Sequence, residues 1–320
     1  MRRSLGFAAA VLATKSHAQD LSQTIVGCVD VGCPAATDNV NDNCTIVSSS
    51  FSSVGLTRIP DTSDALQGVS WVKGFNITDA DGARSFHESF YFGAPADLDL
   101  ADTGACAVFF NGVAETLSFN SSNPNQETAQ GTCQDAMGSS CVDALVRRAT
   151  GLSGLDGFSS ADACTALAED LRDNMDSECE GLAVGWTNLT AVALTGNGAP
   201  EPISGSQNST STCWPITPKS DSVTLVTEYT RDGDLQVSTA TKAQWAITPV
   251  LTLFFQSNGT LITDTEASLS CLKVMGPANA SLDTQSGSDD NKEGAAMTLG
   301  APGWTISSVG MAAIFLLFSL

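Results

Sequence analysis

Histidine is almost missing from this chain: 320 residues contain two, His17 and His87. His17 falls in an N-terminal leader, so the rest of the chain has no histidine pair for a metal centre, and any Ser-His-Asp site must use His87. No G-x-S-x-G elbow is present to aim a nucleophilic serine, and no phosphate-cradling loop or dinucleotide fingerprint occurs. Basic residues are scarce, with 14 Lys and Arg against 35 Asp and Glu, a balance that repels nucleic acid and anionic headgroups. Nothing in this inventory calls for a cofactor or a metal. Long apolar runs are absent except at the extreme C-terminus.

What is present begins at the two ends. Arg2 and Arg3 precede a short apolar stretch, Leu5 to Ala13, and a small-x-small ending at Ser16 and Ala18. The apolar stretch is too short to span a bilayer and fits a cleaved secretory signal over residues 1–18, leaving Gln19 first. At the other end, the apolar run Thr305 to Leu320 has no basic residue after it. Small residues Gly294-Ala295-Ala296, a spacer and this tail form the pattern of a glycosylphosphatidylinositol (GPI) attachment signal. Gly294 is the expected attachment residue, Ser288 the fallback and 295–320 the removed propeptide; a tail-anchored or single-pass helix is the competing reading. Between the cuts, 11 basic residues face 35 acidic ones, a net charge of −24. Residues 276–294 are polar, acidic and without apolar periodicity, the composition of a disordered stalk.

Ten cysteines, Cys28, Cys33, Cys44, Cys106, Cys133, Cys141, Cys164, Cys179, Cys213 and Cys271, lie between those ends. An even number in a secreted chain argues for up to five disulfides in an oxidising compartment. Spacing does not fix the connectivity; the short-range pairs Cys28–Cys33 and Cys133–Cys141 are the plain guesses. Seven N-x-[ST] acceptors, at Asn43, Asn76, Asn120, Asn188, Asn208, Asn258 and Asn279, predict a glycoprotein with those residues at the surface.

Four Asx-Gly pairs set the fold class. Asp81-Gly82, Asn111-Gly112, Asp232-Gly233 and Asn258-Gly259 each sit between strand-like runs, and such pairs accept the positive φ of a hairpin turn. The flanking runs include 69–77 with 85–92, 106–110 with 113–119, 223–229 with 235–237, and 244–255 with 260–262. Trp245, Ile247, Pro249, Leu251, Leu253 and Phe255 alternate as one inward face, with Pro249 marking an edge strand or bulge. Between them, about 139–180 reads as two helices, the first with a capping box at Ser140 and Asp143, the second capped by Ser160. Residues 182–194 return to strand-like composition, and 195–222 reads as a long loop tied by Cys213. The expectation is a mainly β, antiparallel sandwich-like domain built of hairpins over 19–275, with a small disulfide-linked helical insertion. Two β subdomains joined by the helical pair are the alternative.

Few residues offer chemistry. Alternation in SFHESFYF places Glu88 on one face with Phe86, Phe90 and Phe92, and a buried acid is paired or functional, so Glu88 is the one catalytic candidate. A glycosidase would need a second carboxyl across a cleft. His87 reads as a half-exposed strand histidine. A cut after Ser16 would instead make His17 the first residue and, with His87, resemble the copper brace of lytic polysaccharide monooxygenases. Asp79, Asp81, Asp97, Asp99 and Asp102 offer oxygens to calcium without completing a loop. Trp71, Trp186, Trp214 and Trp245 could stack on sugars, although core packing is the commoner fate.

The stretch from Ile25 to Phe92, with IVGCVDVGCP, NCTIV, SVGLTRIP, LQGVSWVKG and RSFHESFYFG, resembles uncharacterised secreted proteins of filamentous ascomycete fungi. The small-residue tail is similar to those of fungal GPI proteins. The resemblance covers about a quarter of the chain. It implies a cell-surface or cell-wall location and carries over no catalytic residues. The expected role is a GPI-anchored cell-surface glycoprotein held on the outer leaflet, structural, adhesive or shielding in the wall. A carbohydrate-binding or carbohydrate-active protein touching wall polysaccharide is the alternative, and whether the chain is an enzyme stays open.

Overall fold

The computed structural model describes residues 24–28, 30–33, 44–80, 82–119, 125–155, 157–259 and 261–276. The predicted leader, the propeptide with Gly294, all but the first residue of the predicted stalk, and Asn43, Asn120 and Asn279 lie outside these. The first strands among the described residues form a two-stranded ribbon, β1 (Cys44–Ile46) and β2 (Ser49–Phe51). β3 (Ser53–Arg58), β4 (Ser70–Ala80) and β5 (Ala83–Ala94) follow as a meander, then β6 (Thr103–Phe110). Helices α1 (Cys133–Met137), α2 (Ser139–Thr150) and α3 (Ser160–Asp173) precede β7 (Leu189–Ala193) and the short α4 (Gly205–Asn208). β8 (Ser222–Gly233), α5 (Val237–Gln244), β9 (Thr248–Gln256) and β10 (Glu266–Leu272) complete the order.

Two antiparallel four-stranded sheets result, ordered β3-β4-β5-β8 and β10-β9-β6-β7. They pack face to face: Trp71 and Phe90 of the first sheet meet Phe109 of the second with ring centroids 5.4 and 5.0 Å apart, and Trp71 Nε1 donates to Thr252 Oγ1 at 2.9 Å. The other face of the second sheet presents Cys106, Val108, Phe110, Leu251, Leu253 and Phe255 to α2 and α3. All of β6, and β9 up to Phe255, is therefore buried. A strand dry on both faces reads as a nearly continuous apolar run rather than an alternation.

That layering corrects the reading of 244–255. Trp245 and Ile247 precede β9, which runs centrally between β10 and β6 rather than at an edge. Pro249 is tolerated because pairing with β6 reaches only Val250. Of the four Asx-Gly pairs, one makes the expected hairpin: Ala80 pairs with Ala83 across 81–82, with Gly82 at φ +79°. Asn111-Gly112 instead starts a 3-10 turn in which Gly112 lies against Gly185; a Cβ there would sit 2.1 Å from the Gly185 carbonyl oxygen. Asp232-Gly233 ends β8 and leads to α5, not to a strand. Asn258 and Gly259 donate their backbone N–H groups to Asp102 O at 3.1 and 2.9 Å, and β10 begins only at Glu266.

The helices lie at the predicted places with other caps. α2 follows Gly138 without a side-chain cap, while α3 is capped by Ser159 in a capping box with Asp162. Ser160 Oγ instead accepts from Ala105 N–H at 3.2 Å and lies 2.9 Å from Thr195 Oγ1.

All ten cysteines are paired: Cys28–Cys44, Cys33–Cys213, Cys106–Cys164, Cys133–Cys271 and Cys141–Cys179. Neither short-range guess forms. Cys28 and Cys33 are neighbours in a turn, yet their side chains point to β1 and to the 195–222 loop, so tertiary position overrides spacing. Three bonds tie the helical layer to the second sheet or to itself. Replacing Cys133 and Cys271 together by Ala should lower stability by about 2–5 kcal/mol through the loop-closure entropy regained on unfolding. The denaturant midpoint of the double variant reads this, and an unchanged midpoint would show the bond to be redundant.

Candidate functional site

Glu88 is the sequence's single catalytic candidate, and the structure shows what it faces. Phe86, Glu88 and Phe90 of β5 point into the sandwich, and on neighbouring β4 Trp71, Lys73 and Phe75 do the same. Lys73 and Glu88 are diagonal across the hairpin, with Nζ 3.0 Å from Oε1 and exposures of 0% and 3%. Nζ also donates to Ala246 O and Thr248 Oγ1, both at 3.0 Å. Lys73 went unread in the sequence, although the alternation of WVKGF places it inward as clearly as it places Glu88.

Further charges gather at this end of the sandwich. Arg231 of β8 lies over the Phe86 ring at 5.4 Å, bonds Glu115 and extends its field to Glu88. Lys273 lies over Trp245 at 5.2 Å and donates to Val274 O at 3.3 Å. Phe75, Phe86, Ala240, Ala243, Trp245 and Val274 form apolar walls around them, with α5 as the cover. Burial pulls the Lys73 amine below its ordinary pKa, an effect that Glu88 opposes. Burial, with repulsion from Lys73, brings Lys273 down to about 8, and Glu127 opposes that shift. Glu127 is itself raised by desolvation.

The other predicted residues lie elsewhere. His87 points to the opposite face of the first sheet, its Nε2 2.7 Å from Thr78 Oγ1 and its Nδ1 3.2 Å from Thr230 Oγ1. Asn76 is its direct cross-strand neighbour. Trp71, Trp186 and Trp245 are buried and Trp214 is half-buried with its Nε1 donating to Asp221 O, so none of the four presents an open stacking face. Asp79 accepts both arms of Arg84, at 2.7 and 2.9 Å, and Asp99 closes a local turn onto the Ala101 N–H. Among the described residues, the one cluster of metal-ligating type is Cys33, Cys44 and Cys213, whose sulfurs are engaged in disulfides.

No family model, curated protein or solved structure matches this chain.

Geometry alone therefore carries the site. One groove of about 300 Å³ opens between the end of β3, β10 and the first turns of α1 and α2, lined in part by Arg58, Asp61, Gln134, Asp143 and Ser270. Ser268 Oγ donates to Pro60 O beside it, and among the described residues the buried Ser270 hydroxyl has no hydrogen-bond partner. Glu88 lies away from this groove, sealed in the sandwich, so the buried ion pair and this groove are separate features. Asn188 and Asn258 are exposed, and Asn76 and Asn208 half-exposed. No helix among the described residues is long and apolar enough to cross a membrane.

Glu88→Ala strands the Lys73 charge and should cost about 3–5 kcal/mol of stability, measured by denaturant unfolding. Lys273 gives a pH signature. Its folded pKa, about 8, lies below the ordinary lysine value of 10.5, so unfolding takes up a proton between these values. Stability should rise with pH across that window, by no more than about 3 kcal/mol. Lys273→Met should flatten the rise; an equal slope in the variant would assign it to other groups.

Proposed function

We propose that this chain is a secreted, GPI-tethered glycoprotein of a fungal cell surface, with a structural or shielding role in the wall. The observation that carries the reading is the pairing of all ten cysteines into five disulfides, with partners up to 180 residues apart. Such cross-linking belongs to an oxidising compartment. Two exposed and two half-exposed sequon asparagines suit a glycan-covered surface, and the N- and C-terminal patterns supply the address.

Adhesion through aromatic stacking finds no support in the buried tryptophans. A carbohydrate-binding version draws on the groove beside β10, whose carboxylates, amide and hydroxyl are groups that bond sugar hydroxyls. Catalysis by Glu88 would require the enclosed Lys73 pair to open.

Phosphatidylinositol-specific phospholipase C should release the protein from intact cells, with Gln19 as the first residue of the released chain. Protein that stays with the membrane would refute the tether, and a chain beginning at His17 would reopen the copper reading. Glycopeptide mapping should find sugar at Asn188 and Asn258. Retention on β-glucan, chitin or mannan, lost on substitution of Asp61 and Asp143, would move the role from shielding to binding.

A further inference from the structure

The Lys73–Glu88 contact differs from an ordinary ion pair in where its hydrogen bonds go. Two of the three positions on Nζ are committed to Ala246 O and Thr248 Oγ1, each at 3.0 Å. The third faces the Glu88 carboxyl, which in the neutral amine is the direction of the lone pair. Glu88 Oε1 lies 3.0 Å from Nζ as the ion-pair contact, and among the described residues no other donor reaches it. Both groups are essentially dry and walled by Phe75, Phe86 and Phe90. Two charges held in such a medium carry a desolvation penalty that a neutral amide does not. Arg231 supplies positive field on the Glu88 side, where an oxyanion would develop.

We propose that Lys73 and Glu88 condense within the folded protein to an isopeptide bond, cross-linking β4 to β5 from inside the sandwich. Proton transfer within the pair first converts ammonium and carboxylate to amine and carboxylic acid. The Nζ lone pair adds to Cδ, forming the C–N bond, and the carbonyl electrons move onto oxygen beside Arg231. One Nζ proton passes to the hydroxyl oxygen, the C–O bond breaks and water leaves. The products are one amide and one water, with no oxidant or activating co-reactant. The amide keeps one N–H, for which Ala246 O and Thr248 Oγ1 are acceptors in place. Holding both partners in contact in an apolar site supplies the proximity that solution chemistry lacks.

Mass spectrometry of the full-length secreted protein, after disulfide reduction and enzymatic removal of glycans, tests this. The expected product is lighter than its sequence by one water, trypsin does not cut after Lys73, and tandem fragmentation yields a branched peptide joining Lys73 to Glu88. Glu88→Gln provides a conservative control: condensation there releases ammonia, so its final mass should equal that of the linked wild type. Cleavage after Lys73 with both residues recovered unmodified overturns the proposal, as does a water loss that maps to any other pair. The wild-type measurement decides even if the Lys73→Met and Glu88→Ala variants fail to fold.

Discussion

The two central strands of the second sheet, β6 and β9, have no wet face, and the rest of the molecule is arranged around that constraint. β6 and β9 are paired along both edges and covered above and below, so each polar group they carry needs a partner from another layer. Thr252 meets the Trp71 indole and Thr248 meets the Lys73 ammonium, which makes two threonines the polar fastenings between the sheets. On the far side, α2 and α3 are 12 and 14 residues long, marginal lengths for a free helix. They hold through buried Leu145, Leu167 and Leu171 and through the bonds Cys106–Cys164 and Cys141–Cys179.

Charge inside such a sandwich has to be balanced locally. Lys73, Lys273 and Arg231 are three of only 14 basic residues in the chain, and they share one end of the molecule with Glu88, Glu115 and Glu127. The set sums to neutrality, as a low-dielectric site demands. Its members are graded by depth. Lys73 and Glu88 are sealed, while Arg231 and Glu115 reach solvent. The depth of each amine decides how far burial depresses it, and Lys273, with an aromatic face and a backbone carbonyl as its nearest partners, stays close to physiological titration.

Much of this was readable in residue order, and the misreadings have physical causes. Period-two alternation put Glu88 inward because its flanking phenylalanines leave one choice of face. The same rule applied to Trp71, Lys73 and Phe75 would have found its partner, but a lysine in a strand is ordinarily taken to face water. Asp81-Gly82 became a hairpin since the strands on both sides have each other as partners. Asn111-Gly112 and Asn258-Gly259 have equal local chemistry, but their neighbours pair with strands distant in sequence, so the turn residues serve close packing on Gly185 and capping by Asp102. Disulfide pairing follows the same logic, since Cys133 meets Cys271 across the helical layer only because β10 pairs with β9. Fold class depends on patterns that survive averaging, whereas connectivity depends on the three-dimensional arrangement itself.

The two ends of the described chain meet on one strand. Val26 bridges Leu56, and Met275 donates to Val54 O at 3.1 Å, so both flank β3. Gln130 ties them together, accepting from Ile25 N–H at 2.8 Å, donating to Ile25 O at 2.6 Å and touching Met275 Sδ. Under the proposed tether, tension enters at Gly276 and loads the Glu127 and Val54 contacts first. It then meets Lys273, whose buried side chain anchors the strand, and after it the covalent Cys133–Cys271 bond. The weak contacts lie outermost, and the Cys133–Cys271 bond holds β10 from Cys271 inward, so yielding beyond it costs at most the Leu272–Thr248 pair.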